Sequence, residues 1–161
     1  MSDNIEKLRN NLTLSSNVNN IEIIPFGLGI ENTTATLYIP SDPGGTSLAP
    51  QSSKDIMEEI TVKRLDDIWK SQGYPKVSFV KMDVEGAEPL VLEGGSKFFQ
   101  EVKPVICCEV KSQRLKLMGK EPINVFEQLN KWGYEGFVYD ENKGMQKYDY
   151  KSDGDIIFKV S

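Results

Sequence analysis

Residues 77–95 read VSFVKMDVEGAEPLVLEGG, and this stretch decides the fold. The apolar, β-branched run at 77–82 predicts a buried strand, and the apolar spacing at 89–101 predicts a helix. The acidic residues between them lie where the strand ends, and open parallel sheets bind ligands in the crevice beyond such strand ends. Asp83 is in that position, and we therefore expect Asp83 or Glu85 to have a functional role.

Helix capping offers an alternative explanation of this acidic cluster. Carboxylates in the first turn of a helix complement its dipole and its free N–H groups, and Asp83, Glu85 and Glu88 all lie at or just before the predicted helix. Three acids within six residues are more than capping requires. The excess favours a functional role for Asp83 or Glu85, and the capping explanation stays open.

A second acidic strand end follows at residues 104–110, where the apolar run PVICCEV contains Glu109 close to its end. A right-handed crossover through the intervening helix places this strand beside the strand at 77–82 and parallel to it. Glu109 and Asp83 are then expected at the same edge of the sheet. Two such carboxylates can bind a divalent cation, accept a proton from a substrate hydroxyl or hydrogen-bond a polar ligand. A solvated strand end is the alternative.

The sequence KMDVEGAE at residues 81–88, followed by VLEGG at 91–95, resembles the signature of the FkbM-type methyltransferases, which depend on S-adenosylmethionine. Other segments look like family segments in family order: 21–29, the strand at 37–39, the GGTS loop at 44–47, VKRLDD at 62–67 and 104–110. The resemblance implies transfer of a methyl group to a hydroxyl of a small molecule, either a sugar or a secondary metabolite. A non-catalytic, methyltransferase-like binding or interaction module is the alternative.

The resemblance also implies two sets of site residues. The catalytic set is Asp83, as base or substrate-binding group, with Glu85 and Glu109 as its neighbours. The cofactor-binding set, which would border the adenine, is Phe26, Gly27 and Leu28. No metal ligand is assigned.

The expected fold is α/β: a Rossmann-like methyltransferase sandwich in one domain, residues 1–161, whose sheet is mostly parallel with a terminal antiparallel strand. Family members carry a strand with a Gly-rich cofactor loop and a second strand ending in an acid before the region that matches residues 4–12. The chain has neither, so we expect it to lack the first two strands of the family fold. The strand at 77–82 then has an uncovered edge, which is an aggregation hazard.

Three arrangements can cover that edge. The early strands repack against it, another chain supplies a strand in a homo-oligomer, or the sequence is part of a longer enzyme. The third is favoured because the predicted helix at 4–12 looks like the one that would follow the missing second strand.

The remaining predicted elements follow from hydrophobic periodicity and turn residues. They are a helix at 4–12, strands at 21–26, 34–39 and 60–62, a helix at 65–73, a helix capped by Asn124 that ends before Gly133, and strands at 134–139 and 155–160. The Pro, Gly and Ser-rich loop at 40–53 is either a mobile connection or a lid over the acidic crevice. The basic segment at 111–122 is either solvated or meets an acidic substrate group.

Composition limits the possible functions. The net charge of −5 and the pI near 4.9 argue against nucleic-acid and anionic-membrane partners, which need a cationic surface. The chain has no histidine, so His-based nucleophilic triads and common zinc sites are excluded. It has neither an apolar run of about eighteen residues nor a signal-peptide pattern. Cys107 and Cys108 are expected to be reduced thiols on opposite faces of a strand. A cytoplasmic protein is expected.

Overall fold

The computed structural model describes residues 2–14, 20–40, 45–150 and 152–160. Within these residues the chain is a mixed α/β fold with two separate sheets. Its elements, in chain order, are α1 (Ser2–Leu14), β1 (Gly27–Leu28), β2 (Thr33–Ile39), β3 (Ile56–Lys63), α2 (Leu65–Ser71), β4 (Phe79–Met82), α3 (Glu88–Gly94), α4 (Ser96–Val102), β5 (Val105–Val110), α5 (Ser112–Leu117), α6 (Pro122–Asn130), β6 (Tyr134–Asp140), β7 (Gly144–Lys147) and β8 (Gly154–Val160). In this part of the chain, no helix combines the length and the apolar character needed to span a bilayer.

The larger sheet has the strand order β4-β5-β8-β6-β7. Only β4 and β5 pair in parallel, with Met82 opposite Cys108, whereas the other three pairs are antiparallel. The prediction of a mostly parallel sheet is therefore wrong. In the described part of the chain no helix follows α6, and β6 pairs antiparallel with both β7 and β8. β8 lies between β5 and β6, so the antiparallel strands make up most of this sheet.

The smaller sheet has the order β1-β3-β2, with β1 parallel to β3 and β2 antiparallel to it. The strand predicted at 21–26 does not form. Next to this segment, the strand β1 pairs with β3 through Gly27 and Leu28 alone. Pro25 has no N–H to donate to a ladder, and the Phe26 N–H donates back to the Ile24 carbonyl at 2.9 Å. The strand at 34–39 is confirmed as β2, and the short strand at 60–62 is part of the longer β3.

The two sheets are not joined by hydrogen bonds in the described part of the chain, because β1 pairs only with β3 and β4 only with β5. An apolar cavity of about 300 Å³ lies between them, with Leu28 on one side, Val80 on the other and Trp69 from α2 in its wall. The early strands thus do not repack against β4. The other two ways of covering this edge, and the absence of the first two family strands, stay predictions.

The main core lies on one face of the larger sheet, against α3, α4 and α6. Leu92, Phe99 and Leu129, one from each of these helices, are completely buried, and each such side chain contributes about 1.5–3 kcal/mol. Side chains along β5 alternate strictly between buried and less buried positions. Cys108 is buried in this core, whereas Cys107 is half-buried on the opposite face. Both thiols are free.

Helix boundaries differ from prediction at two places. The helix predicted at 89–101 divides at Gly95 into α3 and α4. Helix α6 begins at Pro122 with Glu121 as its N-cap, and Asn124 is the third helical residue, whose side chain accepts a hydrogen bond from the Glu121 N–H at 2.8 Å. Glu121 and Asn124 together form a capping box. The prediction that Asn124 is the N-cap is therefore wrong by three positions.

Candidate active site

The acidic turn, residues 83–88, joins β4 to α3. Glu85 and Gly86 have φ angles of 52° and 100°, which reverse the chain sharply. A Cβ atom at Gly86 would lie 2.6 Å from the Arg114 carbonyl oxygen, so only glycine fits here. The buried Glu88 side chain accepts a hydrogen bond from the Gly86 N–H at 3.1 Å. This anchored turn holds Asp83 and Glu85 beyond the end of β4.

The structure brings together the three acidic side chains of the predicted catalytic set. Oxygen atoms of Asp83, Glu85 and Glu109 all lie within 4.8 Å of one another. Asp83 follows β4, and Glu109 lies near the end of its parallel neighbour β5, so the sheet geometry places both at the same edge. We call these three side chains the carboxylate cluster. Its spacing is one that a cation could bridge, and two basic side chains supply positive charge there.

Those basic side chains come from the segment after β5. Lys111 Nζ lies 2.8 Å from Glu109 Oε2 and 3.9 Å from Glu85 Oε1, and Arg114 Nε lies 3.0 Å from Glu85 Oε2. At Lys111 and Arg114 the basic segment at 111–122 is therefore not wholly solvated. These two cations are also not free to meet an acidic substrate group. Lys111 and Arg114 instead neutralise two of the three carboxylates.

The carboxylates differ in acidity because their surroundings differ. Partial removal from water, followed by the neighbouring Glu109 carboxyl, raises the pKa of Asp83. The hydrogen bond from Lys111 holds the pKa of Glu109 below its usual range. A proton shared by this pair therefore resides on Asp83, while Glu109 stays ionised.

A cavity of about 410 Å³ separates the smaller sheet from the acidic turn. The acidic turn contributes Asp83 and Glu85 to one wall. The opposite wall is apolar and consists of Leu28, Leu37, Ile60 and Val62. A ligand in this cavity would contact apolar side chains on one side and carboxylates on the other.

The predicted cofactor-binding residues do not all face this cavity. Gly27 and Leu28 line it together with Asp83 and Glu85. Phe26 lines a different cavity, and the Lys63 ammonium lies 3.9 Å from the centre of its ring. The structure thus brings two of the three predicted residues to the carboxylate cluster and places the third elsewhere, because the chain turns at residues 24–26.

The loop before β3 lies against the acidic turn. Gly45 packs against the Glu85 carboxylate, and the Gly45 carbonyl accepts a hydrogen bond from Gln51 Nε2 at 2.8 Å. Gln51 Oε1 in turn accepts a hydrogen bond from Arg114. Of the two interpretations of residues 40–53, these contacts favour a covering loop. Residues 41–44 of this loop lie outside the described residues.

Sequence reasoning missed the apolar wall and the structural role of Glu88. A signal for the wall was present, since Leu37 in β2 and Ile60 and Val62 in β3 follow the two-residue alternation of a strand with one covered face. Glu88 was counted only as one of three acids. Its burial to 2% exposure follows from packing under the turn, which the acidic composition does not reveal.

Comparison with known proteins identifies the fold and the family. The sequence model of the methyltransferase FkbM domain matches residues 2–135 of this chain. The chain belongs to the FkbM methyltransferase family. The matched region includes residues 81–88, which carry the acidic turn and two members of the carboxylate cluster.

Two relatives illustrate this membership. This FkbM-family chain is 27% identical over 117 residues to methyltransferase sdnD of Sordaria araneosa, in an alignment covering 54% of the chain and 45% of that relative. The crystal structure of methyltransferase FkbM from Methylobacillus flagellatus KT is similar in fold, with a TM-score of 0.51 and 20% identity. That match covers 98% of this chain and 34% of the crystallised one. The chain thus spans less than half the length of either relative.

Proposed function

We propose that this chain takes part in transfer of a methyl group from S-adenosylmethionine to a hydroxyl oxygen of a small molecule, at the cavity between the smaller sheet and the acidic turn. The observation that carries the proposal is that Leu28, from the predicted cofactor-binding set, and Asp83, from the catalytic set, line the same cavity. Membership of the FkbM methyltransferase family supplies the reaction class.

The residues around the cavity fit the cofactor by their chemistry. S-adenosylmethionine, when bound, supplies an electrophilic methyl group on a positively charged sulfur. Carboxylates at Asp83 and Glu85 suit that charge, and the apolar surface of Leu28 and Val62 suits the flat face of an adenine. We assign the end of the cavity near Gly27 and Leu28 to the cofactor.

The ionised Asp83 carboxylate would accept the hydroxyl proton of the acceptor, while S-adenosylmethionine would supply the methyl group by breaking its carbon–sulfur bond and would leave as S-adenosylhomocysteine. Its raised pKa makes it a stronger base than an ordinary aspartate, since proton-transfer efficiency improves as the pKa of the base approaches the working pH. Lys111 keeps Glu109 ionised next to it. Arg114 fixes Glu85, so the carboxylate cluster keeps one geometry during the reaction.

Titration calorimetry tests this proposal through the charge of the ligand. Two probes are compared: S-adenosylhomocysteine, which is uncharged at sulfur, and sinefungin, which carries a cationic amine in place of the methyl sulfonium. We expect sinefungin to bind more tightly, and we expect Asp83→Asn to remove most of that advantage. Glu101→Gln, an equal change of charge at an exposed position of α4, is the matched control and should leave it intact. Absence of binding of both probes to the folded chain would contradict the proposal.

A further inference from the structure

The loop at residues 45–52 forms part of the wall of the cavity beside the acidic turn, since Gly45 and Leu48 line it. We call it the covering loop. It is attached to the smaller sheet, because Ser47 and Tyr38 of β2 exchange two backbone hydrogen bonds, at 2.8 and 3.0 Å. The acidic turn instead follows β4 of the larger sheet, and the two sheets are not joined by hydrogen bonds in the described part of the chain. The covering loop and the acidic turn therefore need contacts of their own to stay together.

Two side chains, Arg114 and Gln51, supply such contacts. Arg114 Nε lies 3.0 Å from Glu85 Oε2, and the same guanidinium donates a hydrogen bond to Gln51 Oε1. Gln51 Nε2 donates a hydrogen bond to the Gly45 carbonyl at 2.8 Å, and Gly45 packs against the Glu85 carboxylate. These four residues form a closed ring of contacts between the covering loop and the acidic turn. We call this ring the Arg114 bridge.

The chemistry of arginine suits it to a bridge. A guanidinium presents several N–H donors in fixed directions, so it can bind a carboxylate and an amide oxygen at the same time, whereas a lysine ammonium is a point charge on a flexible stem. The Arg114 side chain is only 18% exposed. Its backbone also packs on the acidic turn, since a Cβ at Gly86 would lie 2.6 Å from the Arg114 carbonyl oxygen. Arg114 is thus held firmly on the turn, and its bond to Gln51 reaches from there to the loop.

Neutralisation of Glu85 does not account for all of these contacts. Any cation beside Glu85 would neutralise it, and Lys111 Nζ already lies 3.9 Å from Glu85 Oε1. The Gln51 amide uses its oxygen on Arg114 and its nitrogen on Gly45, so it ties the covering loop to the same cation. Attachment of the loop is the role that explains both bonds of this amide.

From this ring of contacts we propose that the Arg114 bridge holds the covering loop closed over the cavity, so that a ligand enters or leaves only when the bridge breaks. Arg114 and Gln51 are then positioning residues, which act through Glu85 and the covering loop. The identity of the ligand as S-adenosylmethionine or its product rests on the proposed function, whereas the closure of the loop does not.

Amide hydrogen exchange of the ligand-free chain tests the closure, because a loop that opens exposes its N–H groups to water. The reporters are Ser47, whose N–H donates to the Tyr38 carbonyl at 3.0 Å, and Ala49, whose N–H donates to Ser47 Oγ at 3.1 Å. Gln51→Met keeps the length of the side chain but removes its hydrogen bonds. Arg114→Lys keeps the positive charge but not the two-way donor geometry. We expect each substitution to speed exchange at both reporters at least tenfold.

Two controls accompany this measurement. Gln113→Met is the same chemical change at the exposed neighbour of Arg114, and it should leave both reporters unchanged. The amide of Cys108, in β5 between β4 and β8, reports opening of the whole fold. Unchanged exchange in Arg114→Lys would show that a positive charge beside Glu85 is sufficient, and it would overturn the proposal. An increase no larger at the reporters than at Cys108 would also overturn it, since the bridge would then stabilise the fold and not the loop.

The binding kinetics of S-adenosylhomocysteine test the consequence for a ligand. Exchange spectroscopy on the half-saturated chain, labelled with ¹³C at the methyl groups of Leu, Ile and Val, measures the association and dissociation rate constants. In Gln51→Met and in Arg114→Lys both constants should rise about tenfold, so that Kd changes less than threefold. Faster dissociation with an unchanged association rate would mean that the loop only adds contacts to the ligand, and it would overturn the gating role.

The outcomes separate this inference from the proposed function. Faster amide exchange at the reporters in both variants, without any binding of S-adenosylhomocysteine to the folded chain, would leave the closure of the loop standing and overturn the methyl-transfer function. Binding of S-adenosylhomocysteine with unchanged amide exchange in both variants would have the opposite meaning.

Discussion

Oxygen atoms of the Asp83 and Glu109 carboxyl groups lie within 4.8 Å of each other at the same edge of the larger sheet, one after β4 and the other near the end of β5. Lys111 binds only the second of them directly, at 2.8 Å from Glu109. This asymmetry decides which carboxyl holds the shared proton, and it makes Asp83 the group that titrates nearer to neutral pH.

Replacing Glu109 by glutamine should lower the pKa of Asp83. Loss of water is the main cause of the raised pKa and the Glu109 carboxyl is the second, so the substitution removes part of the shift. The amide is uncharged and can donate a hydrogen bond to the Asp83 carboxylate, which favours ionisation. A ¹³C NMR titration of the aspartate carboxyl signals measures this directly. An unchanged or higher midpoint for Asp83 in Glu109→Gln would contradict the paired arrangement.

Asp83→Asn should reduce methyl transfer to an acceptor alcohol by about 100-fold, the low end of the effect of removing a general base. The rate is measured with tritiated S-adenosylmethionine under single-turnover conditions, and Glu101→Gln again serves as the charge-matched control. In the unmodified chain the rate should rise with pH through the raised pKa of Asp83, because only the ionised form accepts a proton. A pH-independent rate, or a variant with full activity, would exclude Asp83 as the base.

Glu88→Gln should be tolerated, whereas Glu88→Ala should destabilise the fold by about 1–3 kcal/mol, because the alanine leaves the Gly86 N–H without its acceptor.

Burial raises the pKa of Glu88. A carboxyl whose pKa is raised in the folded state contributes stability at low pH that is lost as the pH rises through the raised value. The stability of Glu88→Gln relative to the unmodified chain should therefore increase from pH 4 to pH 8. Urea denaturation across this range measures it, and equal destabilisation by both substitutions at every pH would contradict the account.

Gly94→Ala should destabilise the chain by about 2 kcal/mol or more, although alanine normally stabilises a helix relative to glycine. A Cβ at Gly94 would lie 1.9 Å from the Gly29 carbonyl oxygen, so α3 could no longer pack against the chain just after β1. Thermal denaturation compares it with Glu93→Ala, an exposed change in the same helix. An increase in the melting temperature of Gly94→Ala would show that this close approach is absent.

The local pattern of the sequence predicted the position of Asp83 well. The change from a β-branched run to acidic residues and then to helical spacing placed Asp83 at the end of a strand, where the structure has it. The proximity of Glu109 required one topological rule, the right-handed crossover between parallel strands, and β4 and β5 are parallel neighbours as this rule predicted.

The rest of the architecture depends on contacts between distant segments, which local pattern does not encode. The apolar run at 21–26 predicted a strand, but backbone pairing is confined to Gly27 and Leu28 beside β3. The antiparallel direction of the last strand, β8, was predicted and is confirmed, whereas its position between β5 and β6, which sets the mixed sheet, was not predicted. Likewise, the sequence identified Lys111 and Arg114 only as basic residues. Their contacts with Glu109 and Glu85 depend on the fold.

The central claim is that cofactor and acceptor meet in the cavity between the smaller sheet and the acidic turn. The most direct measurement is titration of S-adenosylhomocysteine into the chain labelled with ¹³C at the methyl groups of Leu, Ile and Val. The account predicts saturable shifts of Leu28, Val62 and Val84, which line that cavity, with little change at the exposed Ile56. A folded chain that shows no saturable shift, or shifts only remote from Leu28 and Val84, would contradict it.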